Sequence, residues 1–268
     1  MRKRVWGAAA VLLLLCGGCM PGVERAQAPA SGVPKTAAPS AQKTFASSDQ
    51  VVVSRSLAFG KVSEKTYGIF AGQEDVRAFE EAIRTGERIQ GVLDVVEPDY
   101  DAVVAAGGRQ EIHLWLDAKA DIGMFTFVSD TGTGYRLTAE ATRELRDRIW
   151  GLRYDPELAE RNGDVVNLHG KVANADEWER FAEHVAAGVP DEVQVVSYTI
   201  EGGPIFDNLS YDGQAIRHRY DNTHDAYGTP VKQTTFCEKL SKTSEGEGTA
   251  YTLASCDRKE NGFRMVMP

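Results

Sequence analysis

Residues 237–256 read Cys237-Glu-Lys-Leu-Ser-Lys-Thr-Ser-Glu-Gly246-Glu-Gly-Thr-Ala-Tyr-Thr-Leu-Ala-Ser-Cys256 and carry the clearest fold signal in the chain. Two segments rich in strand-forming residues flank a turn at Gly246-Glu247, which predicts a β-hairpin. Pairing about this turn sets Cys237 opposite Cys256 and, on the other face, Leu240 opposite Leu253. We therefore predict a disulfide that closes a loop of roughly twenty residues and contributes about 3 kcal/mol. A reactive or metal-binding pair is the alternative, but it lacks a CxxC motif.

Further strands are predicted on both sides of this hairpin. Asp212-Gly213, between two of them, is a strong hairpin signal of its own. The predicted strands cover residues 192–200, 205–211, 214–220, 232–242, 249–255 and 263–267. Strands that follow one another so closely predict a mainly antiparallel sheet.

Helix signals precede these strands. Asp155-Pro156 predicts an N-cap followed by proline in the first turn, and the short helix should end at Asn162-Gly163. A strand is predicted over 165–172. Asn174 and Glu177 are close to a capping box. The helix that they open should bury Trp178, Phe181 and Val185.

The first half of the chain shows a similar mixture. A helix is predicted over 73–85, where Gly86 should stop it, and a second helix is predicted after the cap residue Thr138. Strands are predicted over 99–106, 111–117 and 124–128, with a turn at 131–134. The alternation in 111–117 indicates a half-buried strand. We therefore predict an α+β fold of two small modules, residues 49–150 and 151–268, each with a mainly antiparallel sheet and a few packing helices.

The N-terminus has the pattern of a lipoprotein signal peptide. Arg2, Lys3 and Arg4 precede an apolar run over 5–15, and Gly18 and Cys19 follow it closely. We predict cleavage after residue 18, lipidation of Cys19, and attachment to the extracytoplasmic face of the cell membrane. A transmembrane anchor is the alternative, but the run is about half the ~20 residues needed. Cys16 as the lipidated residue would place bulky Leu15 at the cleavage site.

Residues 19–48 are predicted to be a disordered, flexible tether, because Ala, Pro, Ser, Gln and Gly dominate them and cannot bury enough apolar surface to fold. The whole chain has 30 Lys and Arg against 39 Asp and Glu. This acidic balance argues against nucleic acid as a partner. It also argues against electrostatic docking on anionic lipid, so that the membrane attachment must come from the acyl group.

Candidate ligand-binding residues lie in three places. The densest polar cluster runs from His218 to Asp225, in which Asp221, Asn222 and Asp225 have oxygens suited to a hard cation and His224 is a further polar side chain. The spacing does not fit an EF-hand loop, and a strand-end turn is the competing interpretation. Asn167 and His169 share one face of the predicted strand 165–172, either as a ligand-facing pair or as a solvated face. Trp115 falls on the polar face of its strand, as a binding aromatic or as core under a covering element.

Catalytic and cofactor motifs are missing from the sequence. It contains no GxSxG nucleophile elbow, no GxGxxG or P-loop and no HExxH. Zinc sites have four ligands at short spacings, whereas the five histidines are scattered. We therefore predict no catalytic residues, no cofactor and no metal.

Two stretches resemble known families. Residues 62–150 resemble the YhfM-like domain of Gram-positive lipoproteins through the helix near 73–85, Pro98-Asp-Tyr100, His113-Leu-Trp-Leu116 and Thr133-Gly-Tyr135. Residues 151–268 are similar to an uncharacterised module that accompanies such leaders. The segments that carry this second resemblance are 162–170, 207–213, 220–223 and the late cysteine pair. The resemblance implies location and architecture but no reaction.

Three functions follow as hypotheses. The first is a non-catalytic, membrane-anchored binding or interaction module of the cell envelope, whose partner is an envelope protein or a ligand. The second is a binder of a small ligand or cation through residues 218–225. The third is an envelope hydrolase, which a pocket gathering histidines and acids from both modules would favour.

Overall fold

Two β-sheets, one in each half of the chain, organise the fold. The computed structural model describes residues 49–117, 120–258 and 262–268. The predicted signal peptide (1–18), the lipidation residue Cys19 and the tether (19–48) lie outside these residues. In the part of the chain that the structure describes, no helix is both long and apolar enough to cross a membrane.

The first sheet has seven strands, and every neighbouring pair is antiparallel. In chain order the strands are β1 (Gln50–Arg55), β2 (Thr66–Phe70), β3 (Glu87–Arg88), β4 (Tyr100–Ala105), β5 (Arg109–Trp115), β6 (Met124–Phe127) and β7 (Asp130–Arg136). Their spatial order is β2-β1-β4-β5-β6-β7-β3. Helices α1 (Gln73–Arg84) and α2 (Ala139–Trp150) contribute Phe79, Leu145 and Ile149 to the same hydrophobic core as the buried residues of this sheet. Thr138 caps α2 by accepting the backbone N–H of Ala141, as predicted.

The second sheet has eight strands and one parallel pair, β8 with β10. In chain order the elements are α3 (Pro156–Arg161), β8 (Val165–Leu168), β9 (Lys171–Ala173), α4 (Ala175–Ala187), β10 (Asp191–Tyr198), β11 (Pro204–Tyr211), β12 (Ile216–Asp221), β13 (Lys232–Glu245), β14 (Gly248–Cys256) and β15 (Arg264–Met267). The spatial order is β15-β14-β13-β12-β11-β10-β8-β9. The prediction of an α+β fold with mainly antiparallel sheets is confirmed.

The C-terminal hairpin has the predicted register. Cys237 pairs with Cys256 and Leu240 pairs with Leu253 across β13 and β14. The two cysteines form a disulfide, with their Cα atoms 4.0 Å apart. The turn residues at 246–247 therefore set both the register and the covalent link.

The two modules share a buried core. Strand residues alternate between faces, so that Val195 and Val196 of β10 enter different cores. Val195 lies with Trp178 of α4 and the C-terminal strands. Val196 lies with Phe206 of β11 and with residues of the first sheet. All described residues belong to one compact unit.

One glycine-rich segment differs from the sequence prediction. The turn predicted at 131–134 is wrong, because the chain turns at residues 128–129 and β7 continues through Gly132 and Gly134. A Cβ atom at Gly134 would stand 2.8 Å from Leu93 Cδ1, so the glycine permits close packing rather than a turn. Helix α1 ends at Arg84 with Thr85 as its C-cap, so Gly86 directly follows the helix, as predicted. A Cβ at Gly86 would stand 2.6 Å from the Phe125 ring.

The strand predicted over 165–172 is also wrong. The chain reverses at His169-Gly170, which both have positive φ (52° and 89°), and forms the hairpin of β8 and β9. The Asn174 capping box is absent, since Asn174 is left-handed and its side chain makes no cap hydrogen bond. Its Nδ2 instead donates to the carbonyls of Glu160 and Asp164.

The strand predicted to be half-buried over 111–117 is buried on both faces. His113 and Trp115, which lie on the face predicted to be polar, are buried as well as the apolar face. His113 Nε2 accepts the backbone N–H of Gly60, so Nδ1 carries the proton and donates to Asp101 at 2.7 Å. Phe59 stacks on the imidazole with ring centroids 5.3 Å apart. The loop before β2 therefore covers the face that the alternation left for solvent.

Candidate functional site

A cleft of about 430 Å³ lies where the ends of both sheets meet. It is bounded by the α2–α3 connection, the β8–β9 turn, the β10–β11 turn and the loop after β12. Its lining comes from both modules and comprises Tyr67, Trp150, Leu152–Pro156, Leu168, His169, Tyr198–Pro204 and His224–Tyr227. Its volume is that of a typical small-molecule site.

The floor of the cleft is aromatic. Tyr67 and Tyr154 stack face to face, with centroids 5.3 Å apart and planes 6° from parallel. His224 lies beside this pair, 5.0 Å from the Tyr67 ring and in edge contact with Phe206. Burial raises the pKa of Tyr67 and of Tyr154 well above the ordinary value, so both phenols stay neutral.

His224 is held by two tyrosine hydroxyls. Its Nδ1 is 2.9 Å from the Tyr67 hydroxyl and its Nε2 is 3.1 Å from the Tyr100 hydroxyl. Burial lowers the pKa of His224 to about 4. The Asp221 carboxylate raises this pKa, whereas the nearby positive charges of Arg55 and Lys232 lower it further. The imidazole is therefore neutral at pH 7, with one nitrogen donating to a hydroxyl and the other accepting from one.

A buried ion pair positions the segment that carries His224. Arg55 Nη2 lies 2.7 Å from Asp221 Oδ2, and both side chains are buried. Asp221 Oδ1 accepts the backbone N–H and the hydroxyl of Thr223. Burial raises the pKa of Asp221, but Arg55 and the Thr223 bonds outweigh it and hold the pKa well below its usual range. Arg55 also covers the Phe206 ring at 3.9 Å and donates to Asn208, which joins β1 to the second sheet.

A second buried carboxylate supports Tyr154. The Tyr154 hydroxyl donates to Asp164 Oδ2, which also accepts Gln194 Nε2 at 2.9 Å. Lys65 Nζ pairs with Asp164 Oδ1 at 2.6 Å. Asn162 Nδ2 donates to the Tyr154 hydroxyl. The floor of the cleft is thus fixed by hydrogen bonds from both modules.

One buried hydroxyl of the lining has no partner among the described residues. Tyr198 is only 6% exposed, and its buried hydroxyl makes no hydrogen bond within the described residues. A buried polar group without a partner costs free energy, and such groups are rare in folded proteins. The rim above it carries exposed apolar side chains, Trp150, Leu168, Ile200 and Tyr227.

Of the residues predicted from sequence, His169, His224 and Asp225 line the cleft. His169 and Asn167 do not share a strand face, because His169 is in the β8–β9 turn and Asn167 Oδ1 accepts the N–H of Gly170. Trp115 is buried, and its indole N–H donates to the Val96 carbonyl.

The remaining predicted residues have structural partners. His218 is buried and pairs with Asp207 at 2.7 Å. Asn222 bridges its loop by donating to the Thr229 carbonyl and accepting from the Val231 N–H. The N–H of Asp225 donates to the Asn222 carbonyl, which forms the expected turn after β12. Across the described ranges, no three His, Cys, Asp or Glu side chains are arranged to hold a metal ion.

Sequence reasoning missed Tyr67, Tyr154, Tyr198 and Arg55. Tyr67 and His224 are 157 positions apart, and no local pattern connects them. Tyr154 directly precedes Asp155, the predicted N-cap of α3. This position beside a helix start was the one local signal that could have pointed to Tyr154. The site is therefore a product of tertiary packing.

Comparison with family models gives two matches. Residues 52–154 match the model described as YhfM protein, and residues 162–252 match a domain of unknown function, DUF4362. Comparison with curated proteins and with solved structures gives no significant match. The resemblance of the first half is confirmed, and the second match covers the first six strands of the second sheet and most of β14. The chain carries a YhfM domain followed by a DUF4362 domain.

Proposed function

We propose that this chain is a lipoprotein of the cell envelope, anchored at Cys19 on the extracytoplasmic face of the membrane. In this proposal it acts as a non-catalytic binding module, and the cleft between its two domains holds the ligand or the binding segment of a partner. The signal pattern supports the location, and the cleft supports the binding role.

The apolar rim of the cleft carries this proposal. Trp150, Leu168, Ile200 and Tyr227 are 44%, 38%, 90% and 79% exposed, respectively, and all four line the same cleft. Single exposed apolar residues are common, but a group of them around a concave site is typical of binding surfaces. The floor below them is held by buried hydrogen bonds, so the site is formed before a ligand arrives.

An envelope hydrolase is the competing function, since the cleft does gather His169 and His224 with three carboxylates, although all of these come from the second module. His224 is a poor general base, because both of its nitrogens contact tyrosine hydroxyls and burial lowers its pKa to about 4. Thr199, the one Ser or Thr hydroxyl of the lining, accepts the N–H of Gly203 and is not bonded to a histidine within the described residues. These contacts favour binding over catalysis.

The anchor is tested by metabolic labelling with palmitate. Cys19→Ala should lose the label, because the acylated sulfur is removed, whereas Cys16→Ala should keep most of it. Equal labelling of the two variants would contradict the anchor.

The binding role is tested by photocrosslinking in cells from the rim residue Ile200. Val92, which is 97% exposed and does not line the cleft, is the matched control. A specific adduct at Ile200 and none at Val92 is the expected result.

A further inference from the structure

The charged groups around the cleft are mostly acidic. Asp155, Glu201 and Asp225 line it, against the single guanidinium of Arg153. Within the described residues, none of these three carboxylates forms an ion pair. His224, which also lines the cleft, does not offset these negative charges, because burial lowers the pKa of its imidazole to about 4 and keeps it neutral at pH 7. Among the described residues, the cleft therefore presents more negative than positive charge, and its three carboxylates are not in ion pairs.

The same cleft presents aromatic faces. Trp150 and Tyr227 stand exposed at its rim, whereas the Tyr67–Tyr154 stack in its floor is buried. Aromatic faces attract cations through their negative π surface, most strongly where water is excluded. Carboxylates and aromatic rings together are the groups that bind an organic ammonium ion, whereas an anionic ligand would be repelled by the three carboxylates.

A buried hydroxyl adds a third, independent observation. Tyr198 lines the cleft, is more than nine-tenths buried, and has an unpartnered hydroxyl. A polar group that is buried without a partner in the free protein gains a hydrogen bond when a ligand supplies one. A phenol oxygen accepts a hydrogen bond from an ammonium N–H or contacts the polarised methyl groups of a quaternary ammonium.

We propose that the ligand of this cleft is a small organic molecule carrying an ammonium group, held by the exposed rings of Trp150 and Tyr227 and by the Asp155, Glu201 and Asp225 carboxylates. This inference rests on the proposed binding function and specifies its ligand class. A cleft of about 430 Å³ accommodates such a molecule.

The test uses choline and n-butylammonium as probes, titrated into the purified full-length chain and followed by calorimetry and tryptophan fluorescence. Their uncharged counterparts, 3,3-dimethylbutanol and 1-butanol, have the same number of heavy atoms but no positive charge. We expect at least one ammonium probe to bind about tenfold or more tightly than its uncharged counterpart. Added salt should weaken this binding because the charges are near solvent.

Variants locate the binding in the cleft. Asp155→Asn with Glu201→Gln removes two negative charges, and Asn keeps the N-cap of α3 because it is as good a cap as Asp. Ammonium binding should fall about fivefold or more while the melting temperature stays unchanged. The control pair Glu238→Gln and Glu247→Gln, exposed on the C-terminal hairpin, should leave binding unchanged.

Each outcome decides a different claim. Failure of both ammonium probes to bind, or equal affinity for the uncharged probes, overturns the ammonium inference. If the uncharged probes bind equally well and a substitution at Ile200 abolishes their binding, the ammonium inference is overturned but the binding function stands. An absence of adducts at Ile200 in cells would instead count against the binding function itself.

Discussion

Replacing Arg55 by Met is expected to destabilise the protein by about 3 to 5 kcal/mol, because it leaves the Asp221 carboxylate buried without its cation. Arg55 and Asp221 are each about 7% exposed at their side chains and 2.7 Å apart. The change also removes the guanidinium from Phe206 and from Asn208, which join the first sheet to the second. Urea unfolding followed by circular dichroism measures the loss.

The chain supplies a matched control for this variant. Arg84 pairs with Glu81 on the exposed face of α1, so Arg84→Met should leave the unfolding midpoint unchanged within error. Arg55→Met with Asp221→Asn should recover part of the loss, since no unpaired charge remains buried. A loss at Arg55 as small as the change at Arg84 would show that the two sheets do not depend on this pair.

Acid is expected to destabilise the protein through His224 before most of its carboxylates titrate. The pKa of His224 is about 4 in the folded protein and about 6.5 in the unfolded chain, so between these values only the unfolded state binds the proton. Stability should therefore fall as the pH is lowered from about 7 to about 4.5, by about 2 to 3 kcal/mol. Urea unfolding at the two pH values measures this loss.

Two variants assign this pH dependence. His224→Gln removes the titrating group and should flatten the slope between about pH 7 and pH 4.5. His169→Gln changes an exposed histidine of the same cleft and should keep the slope of the parent chain. An unchanged slope in His224→Gln would mean that another group binds the proton.

Signals confined to a few neighbouring residues predicted their elements well. The turn at 246–247 gave the pairing of Cys237 with Cys256, because hairpin register follows from turn position. Asp155-Pro156 and Thr138 gave two helix starts, because an N-cap is satisfied by backbone groups two or three residues away. Each of these features depends on contacts that are local in sequence.

Glycine and histidine positions were misread where distant residues decide the conformation. Gly134 is required by the approach of Leu93 and Met124, which a glycine-rich stretch does not reveal. His113 is buried because Phe59 and Gly60, more than fifty positions earlier, fold over its strand. His169 turns the chain at a positive φ, which is uncommon for residues other than glycine.

The cleft itself was predicted only in fragments. His169, His224 and Asp225 were singled out as candidates, but the tyrosine partners of His224 come from the first module. The oxygens at Asp221 and Asn222 had suggested a cation, and the structure gives them Arg55, Thr223 and Val231 as partners instead. The polar residues that follow β12 therefore serve mainly to position His224 in the lining of the cleft.

The most direct test of a binding cleft is photocrosslinking from its rim in living cells. A benzophenone side chain is introduced at Ile200 or, as the control, at Val92, in the otherwise complete chain. After irradiation the protein is purified, and the mass of each adduct and its site are measured. We predict an adduct of one defined mass at position 200 and none at position 92. No adduct at position 200, or the same adduct from both positions, would contradict a binding role for the cleft.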